Sequence, residues 1–168
     1  LPSLLARMLT RVRPSGTLAM QIPDTREQPS HLIIREAAAS AGLQPEEIEA
    51  VPTNRYTVQT FDDMLLGPLC QQLDMWTTTY VQRLDGDDAV YHYVSSTDMR
   101  PLIAALGGED TEAAKSFREA CRTRLAAAYP VSRNGSTLFP FTRFFLVARR
   151  PSLLDVYSEY AAYHNHQL

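Results

Sequence analysis

Arg143 is the one charge inside a dense run of aromatic and β-branched residues, Leu138-Phe139-Pro140-Phe141-Thr142-Arg143-Phe144-Phe145-Leu146-Val147-Ala148. A guanidinium in apolar surroundings needs an anionic partner, because an unpaired buried charge is costly. That partner is either a protein carboxylate or an anionic substrate. His31 and Arg35 form a second group, placed i,i+4 on one face of a helix that follows a short apolar strand. In open α/β sheets ligands sit outside the carboxyl ends of strands, which makes the pair a candidate anion contact; a solvated polar face is the alternative. Other chemistry is weakly signalled. Cys70 and Cys121 lack CxxC spacing and have no neighbouring His, so two buried free thiols in a reducing compartment are expected, with no metal motif or disulfide framework. His164-Asn165-His166 could ligate a metal, but its place at the chain end favours a frayed tail. No Ser-His-Asp or Cys-His signature and no GxGxxG-like run occurs.

The elements that must position these residues follow from periodicity and breakers. Leu4, Leu5, Met8, Leu9 and Val12 have helical spacing over Leu1 to Val12, ended by Pro14-Ser15-Gly16. Thr17 to Ile22 reads as a short buried strand, stopped at Pro23-Asp24. Pro29-Ser30 starts a helix that Gly42 stops. Gln44 to Asn54 reads as a loop with an acidic helical turn, and Thr60 to Gln72 as a helix capped by Thr60. Leu73 to Leu84 has strand composition and ends at Asp85-Gly86. Helices are predicted from Asp87-Asp88 through Val94, from Met99 to Gly107-Gly108, and from about Thr111 to Tyr129. The outward Arg118, Arg122 and Arg124 of the last of these read as a solvated face. The run around Arg143, opened by Asn134-Gly135 and closed by Arg149, Arg150 and Pro151, reads as a strand buried on both faces. Pro151 to Tyr163 is predicted to form a final amphipathic helix.

Composition narrows the class. The 168 residues, 45% hydrophobic and 21% charged, suffice for a globular core. A net charge of −3 without a basic stripe speaks against a nucleic-acid partner. No apolar run approaches the roughly 20 residues that span a bilayer, so a soluble, cytoplasmic protein without a membrane partner is expected.

The motifs taken in order carry a resemblance. Gly16 to Asp24 (G-T-L-A-M-Q-I-P-D), Pro29-Ser30-His31, Arg35-Glu36, Trp76-Thr77-Thr78-Thr79-Tyr80, Thr97-Asp98-Met99-Arg100-Pro101, Ala128-Tyr129-Pro130 and Phe141 to Arg150 resemble the trans-aconitate 2-methyltransferase family. The match runs from about Leu4 to Arg150. It implies an α/β chain: the C-terminal part of a Rossmann-like class I methyltransferase fold, with 17–22 as the fifth strand, 73–84 the sixth and 137–148 the seventh. The sixth and seventh would form an antiparallel hairpin. Residues 1–150 would be this part of the domain, with helical cap segments at about 25–72 and 86–130, and 151–168 an extension beyond the family's usual end. The resemblance further implies methyl transfer from S-adenosylmethionine to a carboxylate of a small polycarboxylic acid. Arg100 and Arg143 would clamp substrate carboxylates, His31 and Arg35 would be secondary anion contacts, and Tyr80 a hydrogen-bond donor.

Departures qualify that picture. The family's glycine-rich cofactor loop, the acidic residue of its second strand and its first four strands all precede what would be Leu1. The chain alone is therefore expected to lack the main cofactor motif and to be inactive. Thr77 stands where the family tends to have arginine, and Val81-Gln82 replaces a more polar pair, which leaves the particular acid open. A second expectation is a non-catalytic remnant or interaction module, a homo-oligomer associating through the open edge of strand 17–22.

Overall fold

A computed structural model of the chain describes residues 2–50, 57–65 and 69–157. Seven helices and three strands are assigned among them: α1 Pro2–Leu9, β1 Thr17–Pro23, α2 Pro29–Ser40, α3 Pro45–Ala50, α4 Val58–Leu65, β2 Gln72–Asp85, α5 Ala89–Ser95, α6 Arg100–Ala105, α7 Glu112–Ala128 and β3 Ser136–Arg149. The strands form one three-stranded sheet in the order β1-β3-β2. Main-chain bonds from Asp24 to Thr142 and from Arg150 to Gly16 fix β1 antiparallel to β3. The Gln71 to Arg149 bond and the Thr79–Thr142 hydroxyl pair at 2.9 Å do the same for β2. The α/β class and the antiparallel pairing of the last two strands agree with the sequence reading.

The chain divides into two compact units. One takes the described residues up to Ile22, from Thr57 to Thr78, and from Arg143 onward. Its core is Leu5, Leu9, Phe61, Leu65, Cys70, Phe144, Leu146 and Ala148, with Leu18, Met20, Ile22, Leu73 and Met75 packed against it. Phe61 stacks on Phe144 at 5.0 Å between ring centroids. The other unit takes 23–50 and 79–142 of the described residues, and its core joins Ile34, Ala37 and Ala38 of α2 to Phe117, Cys121 and Leu125 of α7 and to Phe139 and Phe141 of β3.

Two strand readings need correction. β1 is not buried: its residues alternate between exposed and half-buried, with Leu18, Met20 and Ile22 turned to the core. β3 is not buried on both faces either. Phe139 and Phe141 are buried, then Phe144, Leu146 and Ala148, so the buried parity changes between 141 and 144. Period-two alternation serving two cores in opposite phase looks, in sequence, like an unbroken apolar run.

Helix ends mostly sit where the breakers predict. Thr111 caps α7 by accepting from the Ala114 N–H at 3.1 Å. Gly107 and Gly108, at φ 91° and 101°, end α6 through bonds back to Ala104 and Ile103. The predicted helix from Thr60 to Gln72 is instead α4, and it begins earlier: Thr57 Oγ1 accepts from the Thr60 N–H at 3.2 Å, so the cap lies three residues upstream. Leu69 is in a turn, Cys70 in a bridge and Gln72 already in β2. Helix α1 stops at Leu9 rather than Val12. Of the predicted C-terminal helix, 153–157 is helical, Pro151 and Ser152 are not, and residues from 158 on lie outside the described residues, as do His164 and His166. Among the described residues no helix is long and apolar enough to cross a membrane.

Candidate functional site

The segment from the end of β1 to the first turn of α2 concentrates the polar chemistry of its unit. The β1–β3 pairing ends with the Asp24 N–H donating to the Thr142 carbonyl, and Pro29 starts the helix, so the residues between turn their side chains to one another. Asp24 and Arg26 form a side-on pair, with Arg26 Nε and Nη2 each donating to one carboxylate oxygen at 2.9 Å. Hydrogen bonds from Arg26 hold the Asp24 carboxyl below its ordinary pKa, against the opposing effect of partial burial. Arg35 Nη2 donates to the Arg26 carbonyl at 2.7 Å, fixing the main chain of that turn.

Gln28 is the cap position of α2, and it is 7% exposed. Its amide does not cap the helix; Nε2 donates to the Pro140 carbonyl at 2.8 Å. That leaves Oε1 buried and without a hydrogen-bond partner. Such a group costs roughly 1–3 kcal/mol if nothing donates to it. Gln28, Asp24, Arg26, Pro140 and Thr142 line a recess of about 300 Å³.

His31, the third residue of the helix, is 7% exposed. Its Nδ1 lies 3.1 Å from Ser30 Oγ, and its Nε2 3.5 Å from Asp98 Oδ2. The Ser30 N–H donates to the Tyr129 hydroxyl at 3.0 Å. Although Ser30, His31 and Asp98 stand in series, joined by one hydrogen bond and one 3.5 Å nitrogen–oxygen approach, Ser30 is fully buried, and a nucleophile must reach its substrate. The series instead ties the start of α2 to the turn before α6.

The sequence-derived candidates are thus distributed. His31 and Arg35 lie in the unit with the recess, in contact with Asp98 and with the Arg26 carbonyl respectively. Tyr80, in the same unit, is 46% exposed on β2. Arg100 opens α6, is exposed, and has no hydrogen-bond or ion-pair partner among the described residues. Arg143 belongs to the other unit, half-buried, and donates from Nη1 to Gln21 Oε1 on β1 at 2.7 Å. The α7 arginines are held by neighbours: Arg118 by Glu109 at 2.9 Å, Arg122 by Asp88 at 3.4 Å and by the Tyr91 ring, Arg124 by Glu36 at 3.9 Å. Sequence reasoning missed Asp24, Arg26, Gln28 and Asp98. Only the i,i+2 spacing of Asp24 and Arg26 offered a local signal.

Among the described residues there is no group of three or more His, Cys, Asp or Glu side chains that could hold a metal ion. Among the described residues the glycines do not make a nucleotide-type cradle, since Gly107 and Gly108 close a helix rather than follow a strand.

No protein-family model matches the chain. It is, however, 41% identical over 145 residues to the trans-aconitate 2-methyltransferase of Streptomyces coelicolor, which covers 85% of this chain and 47% of that enzyme. Identity is 37% over 151 residues with the enzyme of that name from Methylobacterium nodulans, covering 88% of this chain and 57% of the relative. With the Azoarcus enzyme it is 35% over 148 residues, 88% and 56%. The chain spans about half the length of the curated relatives it matches.

Proposed function

We propose that this relative of the trans-aconitate 2-methyltransferases is the substrate-side part of an S-adenosylmethionine-dependent O-methyltransferase, which forms a methyl ester on a small polycarboxylic acid such as trans-aconitate. The observation that carries the reading is the similarity of 35–41% extending over 85–88% of the chain. The cofactor would supply an electrophilic methyl group, but the residues of this chain do not fit it: no glycine-rich loop follows any of the three strands.

What the chain's own residues would do is hold the acid. A carboxylate, with a pKa near ~4, is ionised at neutral pH and needs no general base to become a nucleophile. The requirement is orientation, which can contribute roughly 7–11 kcal/mol, together with cations for the carboxylates that do not react. Arg100, exposed and unpartnered, is the clamp best placed to accept an anion. Arg143 would be the second, its geometry set by Gln21. Tyr80 would donate a hydrogen bond. His31 and Arg35 would act from behind, through Asp98 and the Arg26 main chain.

The test is to complete the chain with the N-terminal half of the Streptomyces coelicolor relative and to measure ester formation on trans-aconitate. Turnover is expected, and Arg100→Lys and Arg143→Lys should each raise KM about tenfold or more, since lysine cannot reproduce a bidentate fork. A folded completed chain that methylates no polycarboxylic acid would reject the reading; an unchanged KM would reject the clamp in question.

One observation favours a second reading. Strand β1 pairs with β3 on one side only among the described residues, and an open edge recruits another strand. On that reading the chain is a non-catalytic module that assembles through residues 17–22. A clean monomer by light scattering coupled to size exclusion would count against it.

A further inference from the structure

The turn that opens β3 sets an asparagine side chain beside a glycine. Ser132 and Ser136 pair across it, the Ser132 N–H donating to the Ser136 carbonyl at 2.8 Å, and Val131 and Thr137 bridge beyond them. Asn134 and Gly135 are exposed at the tip, whereas Ser136 and Thr137 are buried. Asn134 Oδ1 accepts twice, from the Ser136 N–H at 3.2 Å and from the Ser136 hydroxyl at 2.8 Å. A main-chain N–H can only donate, so the side-chain atom facing it is the oxygen. The amide nitrogen Nδ2 has no partner among the described residues and belongs to an exposed side chain, so it can depart into water.

Two donors on one carbonyl oxygen have a chemical consequence. They draw electron density from Cγ, and they stand where negative charge gathers when that carbon is attacked, as donors do in an oxyanion hole. The Gly135 main-chain nitrogen is the adjoining nucleophile, and at φ 81° a glycine presents no side chain to obstruct ring closure. Its N–H donates to the Ser132 carbonyl at 2.9 Å, a single bond that must open first and that slows the step by about tenfold. Two donors to a developing charge outweigh one neutral bond. We propose that Asn134 is a self-modification site, whose side-chain amide is converted spontaneously to aspartate and isoaspartate through attack by the Gly135 nitrogen.

The Gly135 nitrogen passes its proton to water as it bonds to Asn134 Cγ, the Cγ–Nδ2 bond breaks, and Nδ2 takes up a proton and leaves as ammonia. Water then opens the cyclic imide, at Cγ to give aspartate or at the Asn134 main-chain carbon to give isoaspartate. Nothing is oxidised or reduced, and water is the only co-reactant. Aspartate keeps an acceptor for Ser136, so the turn persists. Isoaspartate routes the main chain through Cγ, which lengthens the turn and breaks the Ser132–Ser136 register. None of Asn134, Gly135 and Ser136 belongs to the clamp set proposed above, so the site stands or falls apart from methyl transfer.

The experiment incubates the 168-residue chain in mildly alkaline buffer and follows the Asn134 peptide by mass spectrometry, with electron-transfer fragmentation to tell aspartate from isoaspartate. The peptide is expected to gain the mass difference of an amide-to-acid exchange and to contain both isomers. Ser136→Ala should slow the conversion about tenfold, the size of one hydrogen bond to a developing charge, and Ser136→Thr, which keeps a hydroxyl, should restore it. The isoaspartate form, separated by chromatography, should lose hydrogen-exchange protection at the Ser132 amide, whereas the aspartate form keeps it. An unmodified Asn134 in the folded chain, under conditions that convert a synthetic peptide of residues 131–138, would overturn the site. Conversion at an equal or higher rate in a folded Ser136→Ala chain would overturn the activation by Ser136. Should that variant fail to fold, the unaltered chain against the peptide decides.

Discussion

The unit built on Leu5, Leu9, Phe61 and Phe144 buries hydrocarbon and the Cys70 thiol, whereas the unit built on Ile34, Phe117 and Phe139 also buries Thr25, Gln28, Ser30, His31, Ser136 and Thr137. Every described polar side chain that is buried, the thiols aside, falls in the second. Buried polar groups add little stability unless fully paired, and they constrain geometry strongly. The difference therefore separates a unit whose interior can be explained by packing from one whose interior is also organised around hydrogen bonds, and the candidate recess lies in the latter.

The comparison can be broken most forcefully through the thiols. Burial pushes the Cys121 thiol up to about 12 and raises that of Cys70. Since only the thiolate reacts, iodoacetamide at pH 8 should modify neither in the native chain and both after denaturation, a change of several orders of magnitude by mass spectrometry. Rapid native labelling of one of them would show that its core opens.

Next in size are the aromatic anchors. Phe61→Ala and Phe117→Ala remove fully buried rings, one from each core, and each should cost about 3–5 kcal/mol. Hydrogen exchange should then show protection lost chiefly in α1 and α4 for the first, and in α2 and α7 for the second. Identical loss across all four helices in both variants would mean that the cores open as one.

Smaller effects probe the polar unit alone. Thr111→Ala deletes the cap of α7 and should cost about 1 kcal/mol in denaturant unfolding. The Asp24 pair predicts a pH dependence with a definite sign. Its carboxyl has a lower pKa folded than unfolded, so its contribution is present above the ordinary carboxylate value near ~4 and is lost as pH falls through the lower folded value. With the Arg26 side chain 37% exposed, the contribution is at most about 1 kcal/mol. Asp24→Asn should flatten the acid limb of a stability-against-pH curve; an unaltered limb would show that the pair adds nothing.

Much of the fold was legible because each element is locally announced. Asn134 and Gly135 illustrate this: Asn134 Oδ1 accepts from the Ser136 N–H and hydroxyl, and Gly135 takes φ 81°, so the turn opening β3 is written in two residues. The helix α7 is similarly fixed by Thr111, its apolar stripe and Pro130. The site was less legible because its contacts span the chain. Gln28 is a poor capping residue by type; its importance comes from Pro140, 112 positions away. Asp98 gains meaning from His31, and Tyr129 from Ser30. Arg143 stood out as a charge among aromatics, but its bond to Gln21 on β1, 122 positions away, is a contact that only the sheet decides.

By itself the sequence determined the α/β class, the three strands, the principal helices and the kinship of the chain, since these rest on periodicity, turn chemistry and ordered motifs. Only the tertiary structure decided that β3 serves two cores in opposite phase, that Arg35 holds a main-chain carbonyl, and that Gln28 carries a buried acceptor with nothing to accept. Those outcomes depend on which distant side chains fill the space around a residue, and local sequence does not encode that.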